Sequence, residues 1–310
     1  MEGIVIKSTG SNYFVRTNDG ERIVCKLKGK IRLDLRKTTN PIAVGDKVEI
    51  ESNNNNEGVI TQIYPRKNYI IRKALNLSKQ THILASNIDQ AILVATLVEP
   101  RTSLGFIDRF LITAEAYSIK AILLFNKQDV LAPELVEIQN EIADIYKNIG
   151  YEVYQISSYD KNDVELIREI FQNKTSLLAG HSGVGKSTLI NALQPGLQLK
   201  TGEISQAHLK GTHTTTFAEL HPLDFGGFII DSPGIKELGL VEMTKEELGH
   251  YFPEIRKHLG NCKFNNCIHV NEPGCAVREA FEDGQISPER FESYIKILES
   301  EEMDWNKWET

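Results

Sequence analysis

The sequence predicts a multi-domain protein with an N-terminal all-β barrel, a central α/β domain and a C-terminal α-helical module. Three changes of pattern along the 310 residues predict this arrangement. Short stretches of alternating apolar and polar residues fill the first 65 positions, which is the pattern of half-buried strands. From about residue 86, apolar strands alternate with amphipathic helices, and after residue 240 the strands stop. We therefore expect three domains, over residues 1–70, 71–240 and 241–310.

The predicted barrel has five short strands. An Asn-Asp-Gly turn separates the second strand from the third, and a long basic stretch at 26–37 follows the third strand. This spacing suggests an OB-like barrel, a fold often used to bind nucleic acid, although an SH3-like barrel would give the same pattern. Residues 65–86 are expected to form a basic linker or embellishment. The strands are expected at residues 3–8, 13–17, 21–27, 46–51 and 58–64.

The central domain is predicted to contain a parallel sheet with crossover helices, because apolar strands alternate with amphipathic helices along this part of the chain. Strands are expected at residues 90–97, 121–126, 152–156, 176–180, 216–220 and 227–231. Helices are expected between them, at residues 106–117, 133–149, 164–171 and 186–193. Short polar helices are expected beyond residue 240.

Composition excludes several classes of protein. With 41% hydrophobic and 25% charged residues, the chain is not mainly disordered, collagen-like or coiled coil. Its longest apolar stretches are strand-sized, so no membrane helix is expected. The N-terminus lacks the basic and apolar regions of a secretory signal, and we therefore expect a cytoplasmic protein.

Charge is distributed unevenly along the chain. The formal net charge is -7, yet residues 1–74 carry 14 Lys and Arg against 8 Asp and Glu. Because clustered cations contact phosphates, the basic N-terminal part suggests a polyanionic partner. A solvated basic face is the alternative that charge alone leaves open.

A phosphate-binding loop lies between the strand expected at 176–180 and the helix expected at 186–193. Its sequence matches G-x-x-x-x-G-K-[ST], whose glycines turn backbone N–H groups inward around phosphates. Lys186 is expected to reach the β- and γ-phosphates, and the Ser187 hydroxyl is expected to bind Mg²⁺. The loop consists of Gly180, His181, Ser182, Gly183, Val184, Gly185, Lys186, Ser187 and Thr188.

A guanine-reading motif, NKQD, follows the strand that ends near residue 126. It comprises Asn126 and Lys127, with Asp129 at its end, and it lies at the sheet edge where α/β proteins bind ligands. The Asp129 carboxylate can accept hydrogen bonds from N1 and N2 of guanine, whereas adenine offers neither donor. The motif therefore favours GTP over ATP. Ser157 and Ser158, just after the next strand, are candidates for contacts with the base.

Two further segments complete the expected nucleotide site. Asp231 and Gly234 form a D-x-x-G pattern after a strand. At this position the Asp231 carboxylate can hold Mg²⁺ through a water molecule, and the Gly234 backbone N–H can donate to the γ-phosphate. Thr215, in a hydroxyl-rich loop, is the candidate for a second Mg²⁺ ligand. The order is unusual, because the guanine motif precedes the phosphate loop in the chain. We therefore expect a circularly permuted P-loop GTPase domain.

The C-terminal module contains a C-x4-C-x-H-x5-C pattern. Three thiols and one imidazole within 14 residues are a complete ligand set for a tetrahedral structural zinc site. Core cysteines or a redox pair are the alternatives. The expected ligands are Cys262, Cys267, His269 and Cys275.

The residue after Gly234 is Ile235, where Ras-like enzymes carry the Gln that orients the attacking water. Slow intrinsic hydrolysis is therefore expected, and another group must help. His213, beside the Thr-rich loop, is the nearest candidate by sequence, since a neutral imidazole can accept a proton from water. A solvated loop histidine is the alternative.

Taken together, these motifs closely resemble the ribosome small subunit-dependent GTPase A family along essentially the whole chain. The resemblance implies a bacterial cytoplasmic GTPase that binds the small ribosomal subunit late in its maturation, checks the decoding region and promotes release of assembly factors. It implies hydrolysis stimulated by the subunit, rRNA contacts through the barrel and zinc module, and GTP or GDP, Mg²⁺ and one Zn²⁺ as ligands. The resemblance also implies that Asn126, Lys127 and Asp129 recognise guanine and that residues 180–188 bind phosphate and Mg²⁺. A monomer is our default expectation.

Two other functions are compatible with parts of the sequence. A metabolic NTPase with a purely structural barrel would carry the phosphate loop but has no need of NKQD. A regulatory GTP-binding module without turnover would fit Ile235.

Overall fold

The computed structural model describes residues 1–28, 42–52, 56–72, 82–197, 218–231 and 243–299. Within these ranges, no helix is long and apolar enough to cross a bilayer. The predicted Thr-rich loop with His213 and Thr215, the segment with Gly234 and Ile235, and the side chain of Asp231 lie outside the described residues.

The N-terminal part is a closed five-stranded barrel, which confirms the predicted OB-like fold. The strands pair in the order β1-β2-β3-β5-β4, and β4 pairs back with β1 to close the barrel. Alternate side chains point inward, so that Val5, Val15 and Ile60 are fully buried in its core. Cys25 lies among them, and burial raises the pKa of its thiol to about 11. The strands are β1 (Glu2–Ser8), β2 (Tyr13–Thr17), β3 (Arg22–Leu27), β4 (Lys47–Ser52) and β5 (Glu57–Ile63).

The predicted linker contains structure that the sequence pattern missed. Two short strands, β6 (Tyr69–Arg72) and β7 (His82–Ser86), form an antiparallel hairpin there. The buried Asp46 carboxylate fastens this hairpin to the barrel. It accepts hydrogen bonds from Arg66 Nε and Ser86 Oγ, each at 2.6 Å.

The central domain is a six-stranded sheet in the order β10-β9-β8-β11-β13-β12. Its first five strands are parallel, as predicted, but β12 runs antiparallel to β13. The parallel direction expected for this strand is therefore wrong. A tight connection joins the two strands without a crossover helix, and Gly226 and Gly227 take positive φ there. The strands are β8 (Gln90–Ala95), β9 (Lys120–Phe125), β10 (Glu152–Gln155), β11 (Thr175–Ala179), β12 (Glu219–Pro222) and β13 (Phe228–Asp231).

Helices cover both faces of this sheet, and each face has its own core. Leu93 and Leu123 point into a core shared with the first two helices, whereas Ile92 and Ile122 point into the core on the opposite face. The helices are α1 (Leu104–Ala116), α2 (Pro133–Ile149), α3 (Lys161–Phe171) and α4 (Lys186–Leu193). The barrel extends the sheet, because β1 pairs with β12 and Lys7 Nζ lies 2.7 Å from Glu219 Oε2.

The C-terminal module consists of short helices around the Cys and His cluster, as predicted. A 3-10 turn at Leu248–Tyr251 precedes α5 (Pro253–Arg256), α6 (Ala276–Glu282) and α7 (Pro288–Glu299). Its core is formed by residues such as Phe252 and Tyr294, and it includes Ile112 of α1. The module is therefore packed directly on the central domain.

Candidate guanine nucleotide site and zinc centre

The phosphate loop connects β11 to α4, and its backbone conformation requires glycine at two positions. Gly180 and Gly185 have φ values of 138° and 97°, which side-chain-bearing residues rarely adopt. A Cβ on Gly180 would lie 2.3 Å from the Val94 carbonyl oxygen, and one on Gly185 would lie 2.3 Å from Asn126 Nδ2. The loop is thus packed closely between two neighbouring strand ends.

Lys186 begins α4 and folds back over the phosphate loop. Its Nζ donates hydrogen bonds to the carbonyl oxygens of Gly180 and His181, each at 2.6 Å. The ammonium group is therefore held over the loop that the sequence assigns to phosphate. Val184 is fully buried, while Ser182 and Gly183 are exposed.

Asn126 connects three loops at the edge of the sheet. It is 2% exposed, and its Nδ2 donates to the Val184 carbonyl oxygen of the phosphate loop at 2.9 Å. Its Oδ1 accepts from both the backbone N–H and the hydroxyl of Ser158, at 3.1 and 2.9 Å. The amide is thus engaged within the protein, and it fixes the guanine motif, the phosphate loop and the Ser157–Ser158 loop together.

Asp129 lies at the open side of this arrangement. Its side chain is exposed, and Oδ1 accepts a hydrogen bond from Ser157 Oγ at 2.6 Å. The Ser157 N–H in turn donates to Asp163 Oδ2 at 2.8 Å. Lys127 has a left-handed backbone with φ of 68°, and its Nζ donates to the Glu99 carbonyl oxygen at 2.5 Å. Hydrogen bonds therefore hold this loop at Ser157 and Lys127, while the Asp129 carboxylate stays accessible to a ligand.

The strand that carries Asp231 lies beside the strand that leads to the phosphate loop. β13 pairs with β11 in parallel, with Ile230 opposite Leu177. The backbone of Asp231 is therefore at the same end of the sheet as Gly180. Sequence reasoning missed Asp163 and Glu99, because each acts through a contact that leaves no local pattern.

The four predicted zinc ligands converge. Their ligand atoms all lie within 4.8 Å of one another, and His269 Nδ1 is 3.4 Å from Cys275 Sγ and 3.6 Å from Cys262 Sγ. A tetrahedral zinc site places neighbouring ligand atoms about 3.5–3.8 Å apart, so the cluster fits Zn²⁺. Burial lowers the pKa of His269, which favours the neutral imidazole that a metal requires. Three thiolates and one imidazole fill a structural site, with no position left for catalytic water.

Glu272 organises the loop between His269 and Cys275, and sequence reasoning did not single it out. Its carboxylate accepts hydrogen bonds from the backbone N–H groups of Ile268, Val270 and Asn271, at 2.8 to 3.1 Å. Burial raises the pKa of Glu272, but these backbone hydrogen bonds outweigh it and lower the pKa overall. An acidic residue inside a ligand-spaced loop was the available sequence signal.

The order of these parts in the chain defines the class of protein. The guanine motif on β9 and the Ser157–Ser158 loop precede the phosphate loop, and all three meet at one sheet edge. The fold and site are those of a circularly permuted P-loop GTPase with a β-barrel before it and a Cys₃His module after it. Residues 63–241 match the RsgA GTPase family model, and residues 2–60 match the RsgA N-terminal domain model. The chain belongs to the RsgA GTPase family, and it is a GTP hydrolase.

Similar proteins cover nearly the whole chain. A protein of Bacteroides fragilis named small ribosomal subunit biogenesis GTPase RsgA is 52% identical over 302 residues, 97% of each chain. A protein of the same name from Christiangramia forsetii is 51% identical and covers 98% of each chain. The crystal structure of YjeQ from Thermotoga maritima is 37% identical, covers 96% of each chain and has a TM-score of 0.79. YloQ, described as a circularly permuted GTPase, is 34% identical with a TM-score of 0.75, over 96% of this chain and 93% of its own. The family resemblance expected from the motifs is confirmed.

Proposed function

We propose that this GTPase binds the small ribosomal subunit late in its maturation, hydrolyses GTP in response to the subunit and promotes release of assembly factors. The names of the similar proteins support a role in small-subunit biogenesis. We propose that it acts in the cytoplasm as a monomer, with domains at 1–70, 71–240 and 241–310. The single observation that best supports a nucleotide site here is that the Asn126 side chain joins three loops through hydrogen bonds.

Guanine and phosphate are proposed to bind at opposite ends of this site. Asp129 accepts hydrogen bonds from N1 and N2 of guanine, and Lys127 and Ser158 border the base. Backbone N–H groups of residues 180–188 surround the phosphates, and Lys186 exchanges its two carbonyl contacts for phosphate oxygens. The helix N-terminus at α4 adds favourable charge for the anion.

Ser187 and Thr215 are proposed to hold Mg²⁺ directly, with Asp231 acting through water. When bound, Mg²⁺ neutralises charge that develops on the phosphate oxygens. Gly234 is proposed to donate its backbone N–H to the γ-phosphate. The four residues Cys262, Cys267, His269 and Cys275 are proposed to bind one Zn²⁺ with a structural role.

Hydrolysis is proposed to depend on His213, because Ile235 cannot orient water. A neutral imidazole accepts a hydrogen bond from the attacking water, and the docked subunit holds the loop in place. We expect His213→Ala to retain GTP affinity while subunit-stimulated turnover falls to the basal rate. Stimulated turnover that persists in this variant would contradict the role of His213.

The barrel is proposed to contact rRNA through its basic surface. Arg22, Lys26 and Lys28 are exposed on or just after β3, and the Arg22 guanidinium lies 4.6 Å from the centre of the Phe14 ring. Exposed cations beside an aromatic ring suit phosphates and unstacked bases. The zinc module is proposed to contact rRNA from the other side of the GTPase domain.

Point variants test the barrel better than its deletion, because β1 pairs with the central sheet. We would sediment the full chain with purified small subunits in the presence of a non-hydrolysable GTP analogue. Lys26→Glu with Lys28→Glu should weaken binding about tenfold or more, because phosphate contacts dominate such affinities. The matched control reverses two exposed charges elsewhere, Lys147→Glu and Lys161→Glu, and should change little. Equal binding by both double variants would overturn the barrel's role.

A further inference from the structure

One helix, α1, belongs to both the central domain and the C-terminal module. Its side chains Phe110 and Leu111 are buried in the core beneath the central sheet. Ile112, on the same helix, is fully buried in the core of the C-terminal module, together with Leu248 and Phe252. A movement of the module therefore cannot leave α1 unaffected, because packed cores transmit displacement.

The segment that leads into α1 supports the phosphate loop. The rings of Phe106 and His181 are in contact, with centroids 4.0 Å apart and planes tilted by 33°. Pro100 Cδ lies 3.3 Å from the position that a Cβ on Gly183 would take. Residues just before and within the first turn of α1 therefore contact two positions of the loop that is assigned to phosphate.

A buried ionic network fastens the other side of α1 to the module. Arg290 of α7 is 1% exposed, and its guanidinium donates to Asp108 Oδ1 and Glu254 Oε1, each at 2.6 Å. The Tyr146 hydroxyl also donates to Asp108 Oδ1, at 2.8 Å. The Arg290 guanidinium lies 4.5 Å from the centre of the Phe252 ring.

This network fixes geometry more than it adds net stability. A buried ion pair seldom stabilises a fold more than a well-packed apolar replacement, whereas removal of one partner leaves an unpaired buried charge. Asp108 is fully buried and lies two residues from Phe106 on the same helix. The position of Arg290 therefore sets the position of the helix turn that supports His181.

We propose that α1 couples the C-terminal module to the phosphate loop, with Arg290 as a positioning residue that acts through Asp108 and Phe106 on His181. The coupling gives the module control over how firmly the loop holds nucleotide phosphates. A second, more exposed contact, Arg256 Nη1 to Glu115 Oε2 at 3.0 Å, ties the module to the far end of α1. This inference goes beyond the proposed function, since it requires no ribosomal subunit.

The test is the dissociation rate of a fluorescent GDP analogue, mant-GDP, from the full chain with its zinc retained. We expect Arg290→Met and Phe106→Leu each to speed release about fivefold, within the range for residues that modulate coupling without touching the ligand. If both act through one path, the double variant should release nucleotide no faster than the faster single variant. Arg290→Lys, which keeps the charge, should give an intermediate rate.

Two controls separate coupling from loss of stability. Arg278→Met removes a partly exposed ion pair between Arg278 and Glu282 in the same module and should leave release unchanged. Val15→Ala destabilises the barrel core, which is separate from the cores that contain α1, so it should lower the melting temperature without faster release. Release rates are read only from molecules that have bound nucleotide, so a smaller folded fraction changes the amplitude and not the rate.

Three outcomes would overturn the proposal: unchanged release in folded Arg290→Met, equally fast release in Val15→Ala, or multiplied effects in the double variant. If Arg290→Met does not fold, Arg290→Lys and Phe106→Leu decide the matter by the same criteria. None of these measurements involves small subunits. A negative result would therefore refute the coupling through α1 and leave the proposed function untouched.

Discussion

Replacing Asn126 with alanine should loosen the nucleotide site before any nucleotide binds. The Asn126 side chain accounts for three hydrogen bonds, one with the Val184 carbonyl and two with Ser158. At about 1 kcal/mol net for each bond, and with the buried partners left unsatisfied, Asn126→Ala should cost about 3 kcal/mol of unfolding free energy. Typical domains have 5–15 kcal/mol in total, so the variant should still fold.

The assay combines chemical denaturation of the nucleotide-free protein with mant-GDP binding. Asn126→Ala should shift the denaturation midpoint and weaken nucleotide binding by about tenfold or more, because binding must then order the loops. Gln128→Ala is the matched control, since Gln128 lies in the same motif and its Nε2 makes no hydrogen bond among the described residues. A loss below about 1 kcal/mol, or equal losses in the two variants, would refute the reasoning.

Three further predictions concern other parts of the molecule. Gly185→Ala should weaken mant-GDP binding about tenfold, because it strains a positive φ and displaces Asn126, whereas Gly105→Ala, with open space around it, should not. Glu272→Gln should speed zinc loss to a chelator about tenfold, measured with a colorimetric zinc dye, and unchanged loss would contradict its loop-ordering role. Burial raises the pKa of Asp89, but hydrogen bonds from Lys67 and the Thr175 N–H outweigh it and lower the pKa overall. Its stabilising effect is therefore present at neutral pH and lost as the pH falls below the ordinary Asp pKa value of 3.8. The stability difference between wild type and Asp89→Asn should shrink progressively on that acidification, and a constant difference would contradict this.

Elements with a local pattern could be predicted from the sequence. The five barrel strands and helix α2 were expected within about one residue of their observed bounds, because alternation and amphipathicity reflect which side of each element is buried. The phosphate loop and the guanine motif were placed at the same sheet edge for a related reason, since the carboxyl ends of parallel strands meet there.

Contacts between distant parts of the chain could not be predicted. Arg290 and Asp108 are 182 positions apart, and each looks like an ordinary helix-surface charge in its own segment. The antiparallel direction of β12 depends on the Gly226–Gly227 turn, which periodicity does not reveal. The β6–β7 hairpin was missed because its strands are only four and five residues long, too short to show a clear alternation. Each of these features is set by tertiary packing rather than by local sequence.

The most direct test of the central claim is the GTP hydrolysis rate with and without purified small ribosomal subunits. Lys186→Ala, which removes the ammonium group over the phosphate loop, is the blank. We expect a low basal rate and a large stimulation by the subunits, absent from the blank. If GTP binds but subunits leave the rate unchanged, the GTPase site stands and the assignment to the small subunit is wrong.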